Sequence, residues 1–123
     1  MVDSTLNTIR NRRTVYRFKD KTVDDEKTRK ILNAGRWAPS WKNSQPWKFY
    51  VIKNQEIRKK ISELVPTVFN KTIQKAPVSI ITCVDPEMDS FHYIEDGATA
   101  TQNMALAAKS LNLAFRLDRN FQS

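Results

Sequence analysis

Four arginines and a threonine stand within nine residues at R-N-R-R-T-V-Y-R-F, Arg10 to Phe18. Guanidinium groups hold phosphate through paired hydrogen bonds. They also place positive charge where negative charge develops on reduction, as at the pyrimidine ring of a flavin. The alternative is a solvated basic helix end favoured by the helix dipole. A second concentration, A-P-S-W-K-N-S-Q-P-W from Ala38 to Trp47, holds with Trp37 all three tryptophans of the chain. Tryptophans pack in cores more often than they stack on ligands. Prolines, serines, an asparagine and a glutamine among them nevertheless describe a stiff loop whose polar groups face something specific. In the third stretch, D-G-A-T-A-T-Q-N-M-A-L-A-A from Asp96 to Ala108, Gln102 and Asn103 interrupt an otherwise apolar helix. Buried amides usually satisfy nearby backbone groups, so a structural role is the simpler reading there. Cys83, mid-strand among β-branched residues, reads as an inert core thiol, and His92 as a surface loop residue. No acid–base or nucleophile pair emerges, so no catalytic side chain is assigned.

Absences narrow the chemistry further. Cys83 is the only cysteine and His92 the only histidine, which excludes an intrachain disulfide, a thiolate cluster and a histidine-based metal site. Gly35 and Gly97 are the only glycines, so neither a G-x-G-x-x-G turn nor a P-loop can be built. A phosphorylated cofactor would have to be held by arginines and helix ends. The net charge of +8, from 21 basic and 13 acidic side chains, favours nucleic acid, acidic lipid or phosphate-bearing cofactors without choosing between them. No nucleic-acid module is recognisable, and nucleic-acid binding, which would weaken steeply with salt, rests on charge alone.

The elements that must position these groups follow from capping and periodicity. A first helix from Ser4 to about Arg12 carries Leu6 and Ile9 on one face, after which Val15 to Phe18 alternates like extended chain. Asp24 caps a second helix with Thr28, Ile31, Leu32, Gly35 and Trp37 at mostly helical spacing, stopped by Pro39. Ala38 to Trp47 reads as loop. Trp47 to Ile52 and Val78 to Val84 read as strands. Between them Asn54 caps a helix with the stripe Ile57, Ile61 and Leu64, and a short helix through Phe69 and Ile73 is possible in Pro66 to Ala76. Glu95 and Asp96 suit the first turn of a long helix ending near Ser110. Its stripe Ala98, Thr101, Ala105 and Ala108 is expected to be buried. Leu113 to Leu117 reads as a third strand. The order predicts a mixed α and β layer fold.

With 123 residues, 40% hydrophobic and 28% charged, the chain is expected to form one globular domain. No apolar run suits a signal peptide or the ~18 to 20 residues of a membrane helix. Arg12-Arg13 is followed by polar, basic chain where a twin-arginine signal needs an apolar core. The expectation is a cytoplasmic protein with no membrane partner.

Taken in order, the three stretches resemble the nitroreductase family of flavin oxidoreductases. That family opens with Arg-Arg-Ser/Thr and an extended stretch ending in Phe, matched by Arg12-Arg13-Thr14 with Arg17-Phe18. It continues with Ala-Pro-Ser/Asn and Gln/Glu-Pro-Trp-x-Phe, matched by Ala38-Pro39-Ser40 and Gln45-Pro46-Trp47-Lys48-Phe49. A Gln-Asn helix matches Gln102-Asn103-Met104, and Ala76 to Ile81 matches the next strand. The resemblance implies an α+β fold, a nitroreductase-like mixed sheet flanked by helices, in an obligate homodimer with FMN at the subunit interface. Arg12, Arg13 and Thr14 would contact flavin from one chain, Pro39, Ser40 and Asn43 from the other, and Asn70 would add a further contact. Tyr16 stands where many members carry a basic residue, which shifts phosphate binding towards Arg17 or elsewhere. The implied chemistry passes a hydride from NAD(P)H to the flavin and electrons onward to a nitroaromatic, quinone or similar acceptor. Leu111-Asn112-Leu113-Ala114 replaces the family's Gly-Leu-Gly strand, and the C-terminal segment that normally follows is expected to be missing. The rival expectation is accordingly a non-catalytic, flavin-poor relic of the same fold.

Overall fold

The computed structural model describes residues 4–64 and 70–117, with 70 and 71 given as backbone only. Helix α1, Ser4–Asn11, leads into an extended stretch, and helix α2 spans Asp25–Arg36. The start of α2 is fixed by Asp24, whose carboxylate accepts the Glu26 N–H at 2.9 Å, as an N-cap should. Asp25 and Glu26 in its first turn and Arg36 in its last complement the dipole. A single helical turn, Trp41–Asn43, interrupts the following loop. Strand β1, Trp47–Ile52, is followed by helix α3, Gln55–Leu64, helix α4, Asn70–Lys75, and strand β2, Ser79–Val84. Asn54 caps α3 by accepting the Ile57 N–H at 3.1 Å. The strands pair antiparallel, from Trp47 opposite Val84 to Ile52 opposite Ser79. Their aromatic and β-branched composition suits this half-buried pleat.

Helix α5, Tyr93–Ser110, is the axis of the fold, packed against α2, both strands and α1. It closes on a left-handed Asn112 (φ 60°). The Leu113 N–H reaches the Ala108 carbonyl at 2.8 Å and the Asn112 N–H the Lys109 carbonyl at 3.1 Å. Those paired bonds satisfy carbonyls that a bare helix end would leave orphaned. Ile31, Met104 and Ala108 form the buried core, with Phe49, Ile80, Leu113 and Phe115 packed around them. Three elements converge at Gly35, where a β-carbon would lie 2.9 Å from Met104 Cγ and 3.0 Å from Phe49 Cζ. Glycine within a helix costs about 1 kcal/mol relative to alanine. Here it lets Met104, 2% exposed, occupy the junction, where burial of such a side chain contributes about 2 kcal/mol.

Several expectations change. The third strand expected at Leu113–Leu117 is a single parallel bridge, Phe115 opposite Thr14, with the Val15 N–H on the Phe115 carbonyl at 3.2 Å. Extended chain becomes a strand only where a ladder partner runs alongside it. Trp37 lies just past the end of α2 and is 80% exposed, because the chain leaves the helix before that position can turn inward. On α3 the buried positions are Arg58 and Ser62, while Ile57 and Leu64 are exposed. The cause is polar: Arg58 donates to the carbonyls of Gln74 (2.9 Å) and Ala76, and Gln74 donates to the Ser62 hydroxyl at 2.8 Å. Cys83 is exposed, opposite exposed Lys48 on the outer face of the two-stranded sheet. On α5, Ala105 and Ala108 are buried as expected, but Ala98 is exposed. The short helix between the strands is α4, while Phe69 lies outside the described residues. Among the described residues no helix is long and apolar enough to cross a membrane.

Gly35→Val is expected to lower the free energy of unfolding by about 1–3 kcal/mol through overpacking at Met104 and Phe49. The readout is an earlier urea midpoint at unchanged slope. An unshifted midpoint would mean that α2 and α5 do not meet at this position.

Candidate functional site

Arg12 follows the last turn of α1, its N–H on the Thr8 carbonyl at 3.0 Å. It stands over two adjoining open grooves of about 330 and 270 Å³. The larger runs between Arg12 and Thr14 on one side and Ala98, Thr101, Gln102 and Ala105 of α5 on the other. Phe115 and Leu117 close its end. The smaller adds Arg13, Lys109 and Asn112. The Nε of Arg12 is buried without a hydrogen-bond partner, a donor whose desolvation only an incoming acceptor would offset. Cationic walls over an apolar floor suit a planar ligand with an anionic tail. Among the described residues no His, Cys, Asp or Glu group could hold a metal ion.

Tyr16 lies outside both grooves, 65% exposed. The Arg116 guanidinium sits 4.7 Å from its ring centroid and donates to the Thr72 hydroxyl of α4 at 3.0 Å. A cation–π contact thus puts positive charge beside a position that carries none. Asn70 begins α4, and its side chain lies outside the described residues.

Pro39, Ser40 and Asn43 belong to a loop with unusual backbone. Lys42, Asn43 and Gln45 have φ of 52°, 53° and 50°, a left-handed region costing about 1 kcal/mol or more for a residue with a side chain. Local bonds hold it: Ser40 Oγ accepts the Gln45 N–H at 3.0 Å, and Asn43 Oδ1 accepts from Gln45 Nε2 at 2.8 Å. Helix α5 then fixes the start of the loop and the end of α2 before it. Thr99 donates to the Pro39 carbonyl at 2.8 Å, Asp96 Oδ1 accepts the Trp41 N–H at 3.0 Å, and Asn103 donates to the Ala34 carbonyl at 3.0 Å. Asn103 thereby has the backbone-satisfying role that buried amides usually have, whereas Gln102 is exposed at the groove.

His92 is no free surface residue. Half-buried, it occupies the position just before α5 and packs its ring 4.5 Å from that of Trp41. The turn before it is built by Asp89, whose Oδ1 accepts the N–H groups of Phe91 (3.2 Å) and His92 (2.9 Å). Asp89 and Asp96 are 5% and 4% exposed. Burial pushes the Asp96 carboxyl up, Asp89 beside it adds to the rise, and the Trp41 N–H opposes it. Asp89 also feels burial upwards, but the His92 N–H, the Asp96 side chain and the Phe91 N–H outweigh it and hold Asp89 below its usual value. The sequence alone does not mark Asp89, Asp96 and Thr99 as site residues, because their backbone partners leave no compositional trace.

At 100° per residue, Asp96, Thr99 and Asn103 cluster on one side of α5. Ala98, Thr101, Gln102 and Ala105 cluster roughly 140° away around its axis. The structure therefore brings Arg12, Arg13 and Thr14 to the grooves and leaves Pro39, Ser40 and Asn43 elsewhere; none of these three lines either groove.

A profile of the nitroreductase family matches residues 9–82. The chain belongs to the nitroreductase family. A protein of Archaeoglobus fulgidus provisionally named NADH dehydrogenase/NAD(P)H nitroreductase is 35% identical over 115 residues, covering 91% of this chain and 65% of the relative. A Methanothermobacter thermautotrophicus protein of the same name is 36% identical over 110 residues, 88% of this chain and 56% of its own length. The chain thus spans less than two thirds of these curated relatives. Among solved structures, one from Desulfovibrio desulfuricans, described as a nitroreductase in complex with FMN, superposes with a TM-score of 0.84 at 36% identity. The match covers 93% of this chain and 67% of that one. The α+β architecture is that of the nitroreductase fold.

Lys42→Gly is expected to raise the free energy of unfolding by up to about 1 kcal/mol, by relieving left-handed strain that only glycine adopts freely. Chemical denaturation reads the change. A clearly lower midpoint would show that Lys42 is not left-handed in solution.

Proposed function

We propose that this protein is an FMN-dependent NAD(P)H oxidoreductase, a single-domain cytoplasmic homodimer with flavin at the subunit interface. The observation that carries the reading is the arginine-walled groove, with Arg12 Nε buried and unpartnered above it. A phosphate or a flavin carbonyl is an acceptor of the right kind for that donor. Arg12, Arg13 and Thr14 hold the cofactor from one chain, and Asn70 adds a contact to it. Pro39, Ser40 and Asn43 of a second copy complete the pocket. The angular separation of groove and loop around α5 supports this division, since within one chain the two sets do not form one site. Tyr16 contributes through the Arg116 cation it supports.

When bound, FMN supplies the redox chemistry, taking a hydride from NAD(P)H and delivering electrons to a nitroaromatic, quinone or similar acceptor. The chain's own residues bind, orient and shield. The guanidinium groups of Arg12 and Arg13 would hold the cofactor at the groove and would stabilise negative charge developing on it during reduction. No side chain of the described residues is needed as acid, base or nucleophile.

Purified protein should carry flavin absorbance, or acquire it when supplied with FMN, and the bound flavin should bleach on adding NAD(P)H. A colourless protein that takes up no FMN in excess would sink the reading. Arg12→Ala should abolish FMN retention on gel filtration and weaken FMN binding at least about tenfold, the scale of a lost hydrogen bond to a charged group. Undiminished retention would count against the assignment of the groove.

A further inference from the structure

The Asp89–Asp96 corner has a complete hydrogen-bond accounting only if one proton is shared there. Asp96 Oδ1 accepts the Trp41 N–H at 3.0 Å. Asp89 Oδ1 accepts the N–H groups of Phe91 and His92. That leaves the two Oδ2 atoms, both buried and without a hydrogen-bond partner, in neighbouring carboxyls whose charges act on each other. Two ionised carboxylates in so buried a contact would repel, whereas a carboxyl donating to a carboxylate satisfies all four oxygens.

Resting on the proposed flavin site, we infer that Asp96 is a positioning residue for the flavin-binding segment Pro39–Asn43. It holds that segment to α5 through Trp41 for as long as the Asp89–Asp96 pair keeps its single proton. Asp96 touches no cofactor and acts through the loop. The Thr99–Pro39 bond anchors the segment one residue earlier in the loop than Ser40, the Asn43 N–H is bonded within the loop to the Ser40 carbonyl, and Asp96 ties the Trp41 N–H of the turn Trp41–Asn43 to α5. When the proton leaves, Asp96 Oδ2 has nothing to donate to Asp89 and faces a second negative charge. The repulsion is transmitted to the residue whose N–H it holds.

The surrounding charges can be enumerated. His92, its ring tilted against that of Trp41, acts on both carboxylates and favours their ionised forms. Glu95 on α5, Lys42 of the loop, and Asp85 and Glu87 after β2 are all exposed to solvent, where screening weakens their influence. Of the two, Asp96 is the carboxyl that holds a proton more tightly. A raised carboxyl stabilises the folded, latched arrangement fully at low pH and loses that contribution as pH rises through its folded value. Loop anchoring is accordingly strongest while Asp89 is ionised and Asp96 protonated, and it declines as pH rises through the folded value of Asp96.

The variants Asp96→Ala and Asp96→Asn separate this role from simple packing. Asparagine keeps the acceptor for the Trp41 N–H and gives Asp89 a donor that cannot ionise. Hydrogen exchange of segment 38–45 in the flavin-free protein, corrected for intrinsic rates, is the first readout. Asp96→Ala should exchange at least about tenfold faster there, with the α2 and α5 core amides unchanged, and Asp96→Asn should stay near wild type. Protection in the wild type should fall as pH rises, and in Asp96→Asn it should stay flat. FMN affinity by fluorescence titration should follow: weaker for Asp96→Ala, with the ratio of wild-type to Asp96→Asn dissociation constants growing with pH. That ratio cancels the titration of the FMN phosphate itself. If Asp96→Ala does not fold, the wild-type and Asp96→Asn profiles decide between them. Equal protection in wild type and Asp96→Ala, or one pH profile shared by wild type and Asp96→Asn, would overturn the latch. FMN binding unchanged in Asp96→Ala would overturn the positioning role alone. A working latch in a protein that binds no FMN in any form would overturn the flavin reading and the positioning role with it.

Discussion

Helix α2 can lie as close to α5 as it does only because position 35 has no side chain. Gly35 faces Met104 and the ring of Phe49 at distances that leave no room for a β-carbon, so two helices and the sheet are set against one another at a single point. The registration has consequences at both ends of α2. At its start, Lys27 reaches the Leu111 carbonyl at 3.5 Å, against the C-terminus of α5, where a cation is favoured by the dipole. At its other end the Ala34 carbonyl falls within reach of Asn103, and the chain emerging at Trp37 is delivered onto the N-terminal half of α5. The loop of Ser40 and Asn43 is thus placed by a contact in the core several residues earlier.

Helix α5 distributes tasks by angle. One sector is buried through Ala100, Met104 and Ala108. A second, polar sector grips the loop, and a third, small-residue sector lines the grooves beneath the arginines. Small side chains at Ala98 and Ala105 keep the groove open, while hydroxyl, amide and carboxylate groups of Thr99, Asn103 and Asp96 bond backbone of the loop and of the end of α2. In a protein whose difficult chemistry belongs to a cofactor, this division is most of what the polypeptide has to provide: fixed cations on one side, a rigid loop on the other.

What the sequence made legible were features with local causes. Asp24 and Asn54 as caps, the two aromatic and β-branched strands, and the span of α5 all follow from residues within a turn or two of one another. The arginine cluster was legible as a group, and the family pattern tied it to the loop. Features set by distant or phase-dependent contacts were not. The side of the strand on which Cys83 lies depends on which face of the sheet α5 covers, and alternation does not reveal that. The inward turn of Arg58 and Ser62 in place of Ile57 depends on the carbonyls around α4. His92 is drawn in by Trp41, and Asp96 by a backbone N–H in the same loop; neither partner could be read from spacing.

The bridge between Thr14 and Phe115 joins positions about a hundred residues apart, and chain-closure entropy rises only slowly with such a span, by about 0.6 kcal/mol per doubling. Its cost is chiefly one of search. Helices form and hairpin-like pairs meet while the intervening chain is short, but this contact requires two remote stretches to find each other, and contacts of that kind slow folding. Since Arg12, Thr14 and Phe115 all border the same groove, the candidate binding surface is assembled from the least local part of the topology. A ligand bridging those two stretches would act as a tether between them, so that occupancy and completion of the fold become one equilibrium.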